Sequence, residues 1–132
     1  MKYVKWCLIV IYIYFILTKT IFGRLPQLEP VFKGLFWELR EGYWNDIIMN
    51  ILLFIPLGFL ICGWKGVVVG FILSCSIEMI QYFGRLGFCE LDDVLNNMIG
   101  TGVGVMIRVL SHKCYSAIIG KSTHDYCMER DL

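Results

Sequence analysis

Carboxylates, amides and one arginine recur in an otherwise apolar chain at spacings that could do chemistry: Asn50, Glu78, Gln81, Arg85, Asp92, Asp93 and Asn97. Such a set can exchange protons, hold a divalent cation through oxygen, or bind a ligand that carries phosphate at one end and amines or sugar hydroxyls at the other. Glu78, Gln81 and Arg85 fall at i, i+3 and i+7, one face of a helix. Asp93, Asn96, Asn97, Gly100 and Gly104 fall at i, i+3, i+4, i+7 and i+11, one face of another. Residues 84–91 make a short reversing loop between the two, which predicts antiparallel neighbours. Polar faces turned to lipid are costly, so the two should face each other. Asp92 or Asp93 is placed to cap the second helix, accepting backbone N–H groups that its first turn leaves unpaired.

The elements that must position these groups follow from composition. The chain has 132 residues, enough for one domain, of which 58% are hydrophobic and 17% charged. The mean hydropathy is +0.66. A soluble domain of this size has too small an interior for that much apolar surface, and lipid can take the excess. A net charge of +1 gives no strong pull toward nucleic acid or acidic lipid. The six cysteines form no CxxC pair and no metal-like spacing, so neither a disulfide framework nor a metal site is predicted from them. Lys2 and Lys5 ahead of an apolar run imitate a signal peptide, but Thr18-Lys19-Thr20 replaces the small-x-small cleavage site, which favours an uncleaved first span.

Four apolar runs, 4–17 (extendable to 22), 47–64, 67–83 and 94–110, predict four spanning helices. At 1.5 Å per residue a run of about 17 residues reaches only ~26 Å, so tilt should be modest. Between the first two runs, Phe32, Leu35, Phe36, Leu39 and Tyr43 form one helical stripe, with Lys33, Glu38, Arg40 and Glu41 on the other side. Pro30 suits a helix start and Gly42 its end, predicting an interfacial amphipathic helix with Trp37 and Trp44 at headgroup level; the competing reading is a loop over the bundle. The expected fold is thus an all-α, polytopic four-transmembrane-helix bundle over 1–112, with a polar tail over 113–132. With both termini cytoplasmic, that side carries Lys2, Lys5, Lys65, Arg108, Lys113, Lys121 and Arg130, against Lys19, Arg24, Lys33, Arg40 and Arg85 outside. On this span count Asn50, Glu78, Gln81, Arg85, Asp92, Asp93, Asn96 and Asn97 all lie at one membrane face, whichever face that is. Pro56 should kink the second span, and Gly100-xxx-Gly104 permits close approach of a neighbouring helix.

Asn50-Ile-Leu-Leu-Phe-Ile-Pro-Leu-Gly58 resembles the asparagine–apolar–proline–glycine motif of VanZ-like membrane proteins. Ser76-Ile-Glu-Met-Ile-Gln81, then Arg85, then Asp92-Asp-Val-Leu-Asn-Asn-Met-Ile-Gly100 resemble that family's second half in order and spacing, and residues 20–24 resemble its end-of-first-span signature. The stretch 87–90 departs from the pattern, being longer and more apolar. The resemblance implies a membrane protein of a family named for resistance to the glycopeptide teicoplanin, with Asn50, Glu78, Gln81, Arg85, Asp92, Asp93 and Asn97 as its functional residues.

Structural glue is the plain alternative for such a cluster, and for Asn96, Asn97 and Gly100 it is the better reading. Three carboxylates and Arg85 at one level are more charge than packing needs. The functional reading is a site for a cell-envelope or lipid-linked headgroup at the extracytoplasmic face. An alternative is a membrane enzyme with Glu78, Asp92 and Asp93 as acid/base or divalent-metal ligands, although no nucleophile or HExxH signature supports it. A transport or proton-relay element would need oligomerisation, so a homo-oligomer stays open. No cofactor is implied, and the partners expected are membrane lipids and a lipid-linked ligand, without nucleic acid.

Overall fold

A computed structural model describes residues 2–22, 26 and 31–119 of the chain. The apolar N-terminal run forms α1 (Lys2–Leu17), which loosens into a π-helical turn over Thr18–Phe22. The cause is local: the Thr18 hydroxyl donates to the Phe15 carbonyl at 2.7 Å and the Thr20 hydroxyl to the Ile16 carbonyl at 2.9 Å, competing with the backbone ladder. Strand β1 (Val31–Lys33) and the short α2 (Trp37–Glu41) follow, then α3 (Trp44–Leu60), α4 (Trp64–Phe83), β2 (Phe88–Glu90) and α5 (Leu91–Ile119). The α3–α4 break falls at residues 61–63, where Gly63 takes φ +82°, a conformation that favours glycine.

Three helical segments are long and apolar enough to cross a membrane: Tyr3–Phe22, Trp64–Phe83 and Leu91–Ile118. The fourth predicted span, α3, is an apolar helix of 17 residues. Pro56 lies inside α3 as expected. One turn away the Tyr12 hydroxyl donates to the Leu53 carbonyl at 2.8 Å, joining α1 to the part of α3 that proline perturbs.

Glycines set how the helices meet. A Cβ on Gly100 would collide with the backbone of Ile51, and one on Gly104 with the backbone of Ile55 and Phe59. A Cβ on Gly58 would strike the Thr101 backbone. The paired numbers rise together, so α3 and α5 run parallel in near backbone contact. Ile16, Phe54, Leu57 and Ile77 close the core beside this seam.

The predicted amphipathic helix from Pro30 to Tyr43 is not one helix. Pro30 lies outside the described residues; Phe32 and Lys33 belong to β1, and helix is confined to Trp37–Glu41. Phe36, at φ +61°, ends any helical path from the strand, and β1 takes its partners from β2 in a parallel pair with Lys33 opposite Glu90. The apolar stripe survives this change, since Phe32, Leu35, Phe36, Leu39 and Tyr43 are all exposed. Two residues assigned to the polar side turn inward instead: Lys33 is half-buried and Glu38 is buried. At the other end α5 continues past 112 to Ile119, and the remainder of the predicted tail lies outside the described residues. Cys62 is disulfide-bonded, against the expectation of no bridges, while Cys7, Cys75, Cys89 and Cys114 are free thiols.

Candidate functional site: a buried carboxylate cluster

The start of α3, the end of α4 and the start of α5 meet at one end of the bundle. Asn97 donates to the Ser74 hydroxyl at 2.8 Å, and the Glu90 amide to the Glu78 carboxylate at 2.8 Å. Residue numbers on α4 rise as those on the α5 side fall, so α4 and α5 are antiparallel, as the reversing loop implied. Asn50 donates from α3 to the Asp93 carboxylate. Glu78, Gln81, Asp92, Asp93, Asn96 and Asn97 are all buried.

Each carboxylate has a different setting. Both oxygens of Asp92 accept backbone N–H groups, from Phe36 at 2.5 Å and Glu38 at 2.9 Å. Of the two candidates for capping α5, Asp92 and Asp93, both sit in that helix's first turn, and Asp92 serves the N-terminus of α2. Glu78 anchors β2 through the Glu90 amide. Asp93 takes the Asn50 amide, and Glu38 takes the Asn96 amide at 2.7 Å. Glu90 pairs with Lys33 at 2.9 Å. The Lys33 ammonium is itself held between two rings, 3.3 Å from the Trp37 centroid and 3.6 Å from that of Phe88.

Glu38, Glu90 and Asp93 converge, with one oxygen of each lying within 4.8 Å of the others. Like charges so close cannot all be held ionised in a buried place without cost. The strain falls on Glu38, whose carboxyl is pushed up to about 8, first by burial, then by the charge and hydrogen bond of Asp93, and further by Glu90 and Asp92. Burial and the charges of Glu78, Glu90 and Asp93 push the Cys89 thiol up as well. A carboxyl tuned near neutrality can give or take a proton, and its ionised form is a hard oxygen donor for a cation.

Among the described residues, the amide oxygens Gln81 Oε1 and Asn97 Oδ1 have no donor. Gln81 gives its N–H to the Thr20 carbonyl in the π-helical turn at 3.0 Å, and Asn97 gives its own to Ser74. Arg85, by contrast, is exposed, takes a left-handed conformation at φ +53°, and forms no ion pair among the described residues. A Glu78–Arg85 pairing along the α4 face is therefore not made, because the helix ends at Phe83 and the chain turns outward.

Of the seven residues singled out in the sequence, the structure gathers six at this end of the bundle, and Arg85 lies on the surface of the loop beside them. Sequence reasoning missed Lys33, Glu38 and Glu90. Glu90 had a signal, lying two residues before Asp92 in the loop. Glu38 had none, since a glutamate opposite an apolar stripe reads as solvated, and only pairing of β1 with β2 turns it inward.

No solved structure matches this chain. Protein VanZ of Enterococcus faecium is 31% identical over 81 residues, covering 54% of this chain and 49% of the relative, so the chain spans about half the length of that curated protein. The family model described as VanZ/LLP1 matches residues 4–112, a stretch that contains every group of the cluster. The chain is a membrane protein of the VanZ/LLP1 family.

Proposed function

We propose that the protein is a cell-membrane protein with four spanning helices and cytoplasmic termini, which binds a cell-envelope or lipid-linked ligand at the extracytoplasmic face and contributes to teicoplanin tolerance. The observation that carries this reading is the convergence of buried Glu38 and Asp93 with half-buried Glu90 at one end of the bundle. Intramembrane or near-membrane ionisable groups are expensive and are kept for function. Parallel packing of α3 along α5 supports a fourth span: if α5 crosses, a helix in backbone contact with it through Gly100 and Gly104 crosses beside it. The exposed Phe32, Leu35, Phe36 and Leu39 then rest in the headgroup region, as an interfacial anchor without a long helix.

In this arrangement exposed Arg85 meets a phosphate, and the carboxylates meet amines or sugar hydroxyls. Ligand-binding positions are Glu38, Glu90, Asp93 and Arg85, with Asn50 and Asn97 holding the groups around them and Gln81 tying α4 to the end of α1. The enzyme reading has less support, because Glu78 and both oxygens of Asp92 hold backbone N–H groups.

The test is teicoplanin susceptibility of cells expressing Glu38→Gln, Asp93→Asn or Arg85→Gln at matched membrane levels. The reading expects tolerance to fall in each while protein level holds. Tolerance unchanged in all three removes it, and tolerance that falls only in step with protein level makes the cluster structural glue.

A further inference from the structure

Three carboxyl groups of the cluster meet beside the Lys33 ammonium. Lys33 reaches Glu90, while Glu38 and Asp93 share a hydrogen bond and also accept the amides of Asn96 and Asn50. A second observation lies one turn deeper. Asn97 is 3% exposed and its Oδ1 accepts nothing, although its N–H end is fixed by Ser74. Asn97 follows Asp93 by four residues, so the two share a face of α5. Side chains in a helix lean toward its N-terminus, which inclines the Asn97 amide toward Asp93 and the carboxylates. On α4 the same lean inclines Gln81, 1% exposed with a bare Oε1, toward Glu78. A buried acceptor oxygen without a donor is costly, and a donor that arrives with a ligand removes that cost.

We infer that Glu38, Glu90 and Asp93 form a binding site for a hydrated, hard divalent cation, whose bound water donates to the bare Oδ1 of Asn97. The donor set is oxygen only, which suits a hard cation and not zinc or copper. The Lys33 ammonium, caged by Trp37 and Phe88, holds the Glu90 carboxylate and so competes with the ion for that ligand. This inference goes beyond the envelope-ligand reading and does not depend on it, since a bare ion and purified protein suffice to read it.

Terbium(III), a calcium-sized ion whose emission is sensitised by a nearby indole, reports on the site directly, because Trp37 stacks on the Lys33 ammonium that touches Glu90. Purified full-length protein in detergent, stripped with chelator, should show saturable terbium emission at one ion per chain. Calcium or magnesium in excess should displace terbium. Glu90→Gln should weaken terbium binding at least tenfold, and Lys33→Met, which removes the competing cation, should tighten it severalfold. Far-UV circular dichroism confirms that each variant is folded, and the opposite directions of the two changes cannot both come from unfolding. Emission that does not saturate, or affinities unchanged in both variants, overturns the site. Loss of teicoplanin tolerance with terbium binding intact would bear on the envelope-ligand reading alone.

Discussion

Replacing Asp92 by alanine removes the acceptor for two backbone N–H groups at once, those of Phe36 and Glu38 at 2.5 and 2.9 Å. Both bonds are charge-assisted, and hydrogen bonds to a charged group contribute about 1.5–3 kcal/mol each. Their combined loss is then on the order of 3–6 kcal/mol, before any water enters to replace the carboxylate. Helix α2 has only five residues and cannot hold itself together, since isolated helices need roughly 12–15 residues to be even marginal in water. The loss should therefore appear as local opening of residues 36–41 while the α3–α5 seam stays closed. A 3 kcal/mol loss corresponds to about a hundredfold rise in the opening constant, at ~1.4 kcal/mol per decade. Amide hydrogen exchange of the detergent-solubilised protein, read by mass spectrometry on peptides covering 36–41 and 96–104, measures this directly. The first peptide should exchange about a hundredfold faster or more in Asp92→Ala, and the second should be unchanged. Asp92→Asn keeps one acceptor and sets an amide donor against the other N–H, so it should fall between. If exchange over 36–41 rises less than threefold in Asp92→Ala, Asp92 is not what holds α2 over the cluster.

Three other perturbations have directions set by the structure. Gly100→Leu should lower the thermal midpoint in detergent and separate α3 from α5, at about 1–3 kcal/mol or more for overpacking against backbone, whereas Gly102→Ala, with open space at its Cβ, should leave the midpoint within a degree or two. The Glu38 carboxyl rises from 4.5 to about 8 in the folded chain, so the folded state holds its proton more tightly than the unfolded state does. Its contribution is therefore present below about pH 4.5 and lost as pH climbs to about 8; chelator-treated protein should unfold at progressively lower temperature across that window, and Glu38→Gln should flatten the slope. Cys89, with its thiol pushed up, should react with a membrane-impermeant maleimide from outside intact cells increasingly fast toward pH 9, and labelling only after permeabilisation would reverse the proposed orientation.

The parts of the architecture legible in the sequence are those set by local periodicity. Apolar runs located α1, α3, α4 and α5, and the i, i+3, i+4 and i+7 spacings placed Glu78, Gln81, Asp93 and Asn97 on facing surfaces before any coordinates. Gly100 and Gly104 were only a permissive pattern, and their meeting with Ile51 and Ile55 makes them the seam that aligns α3 with α5. What periodicity cannot supply is pairing between distant segments. The stripe from Phe32 to Tyr43 fits a helix, yet Phe32 and Lys33 at its start pair with Cys89 and Glu90, more than fifty positions away. Residues 87–90 departed from the family pattern in sequence, and that departure is the strand β2 which brings Glu90 and Lys33 together. That pairing is what turns Glu38 inward, against the expectation from the stripe that it faces solvent.

The strand pair also explains why so many carboxylates occupy one end of the bundle. Glu78 on α4 and Asp92 on α5 are the fixed points: one holds β2 through the Glu90 amide, the other holds the entry to α2. With both ends pinned, β1 and α2 are drawn over the helix ends as a cover, and that cover delivers Lys33 and Glu38 to Glu90 and Asp93. Neutral residues could not perform the pinning as well, because a carboxylate accepts two backbone N–H groups with charge assistance and an amide oxygen offers one weaker acceptor. The repulsion that follows from placing three further oxygens within 4.8 Å is therefore a consequence of how the cover is attached, and it leaves Glu38 the group most ready to exchange its proton or its partner. A cover fastened by two carboxylates and carrying the reactive one is arranged so that loss of the fasteners abolishes the site, whereas loss of Glu38 alone leaves the fold standing. On that logic Glu78→Gln and Asp92→Asn should reduce terbium binding only as far as they loosen residues 31–41, and Glu38→Gln should reduce it with those residues still protected from exchange.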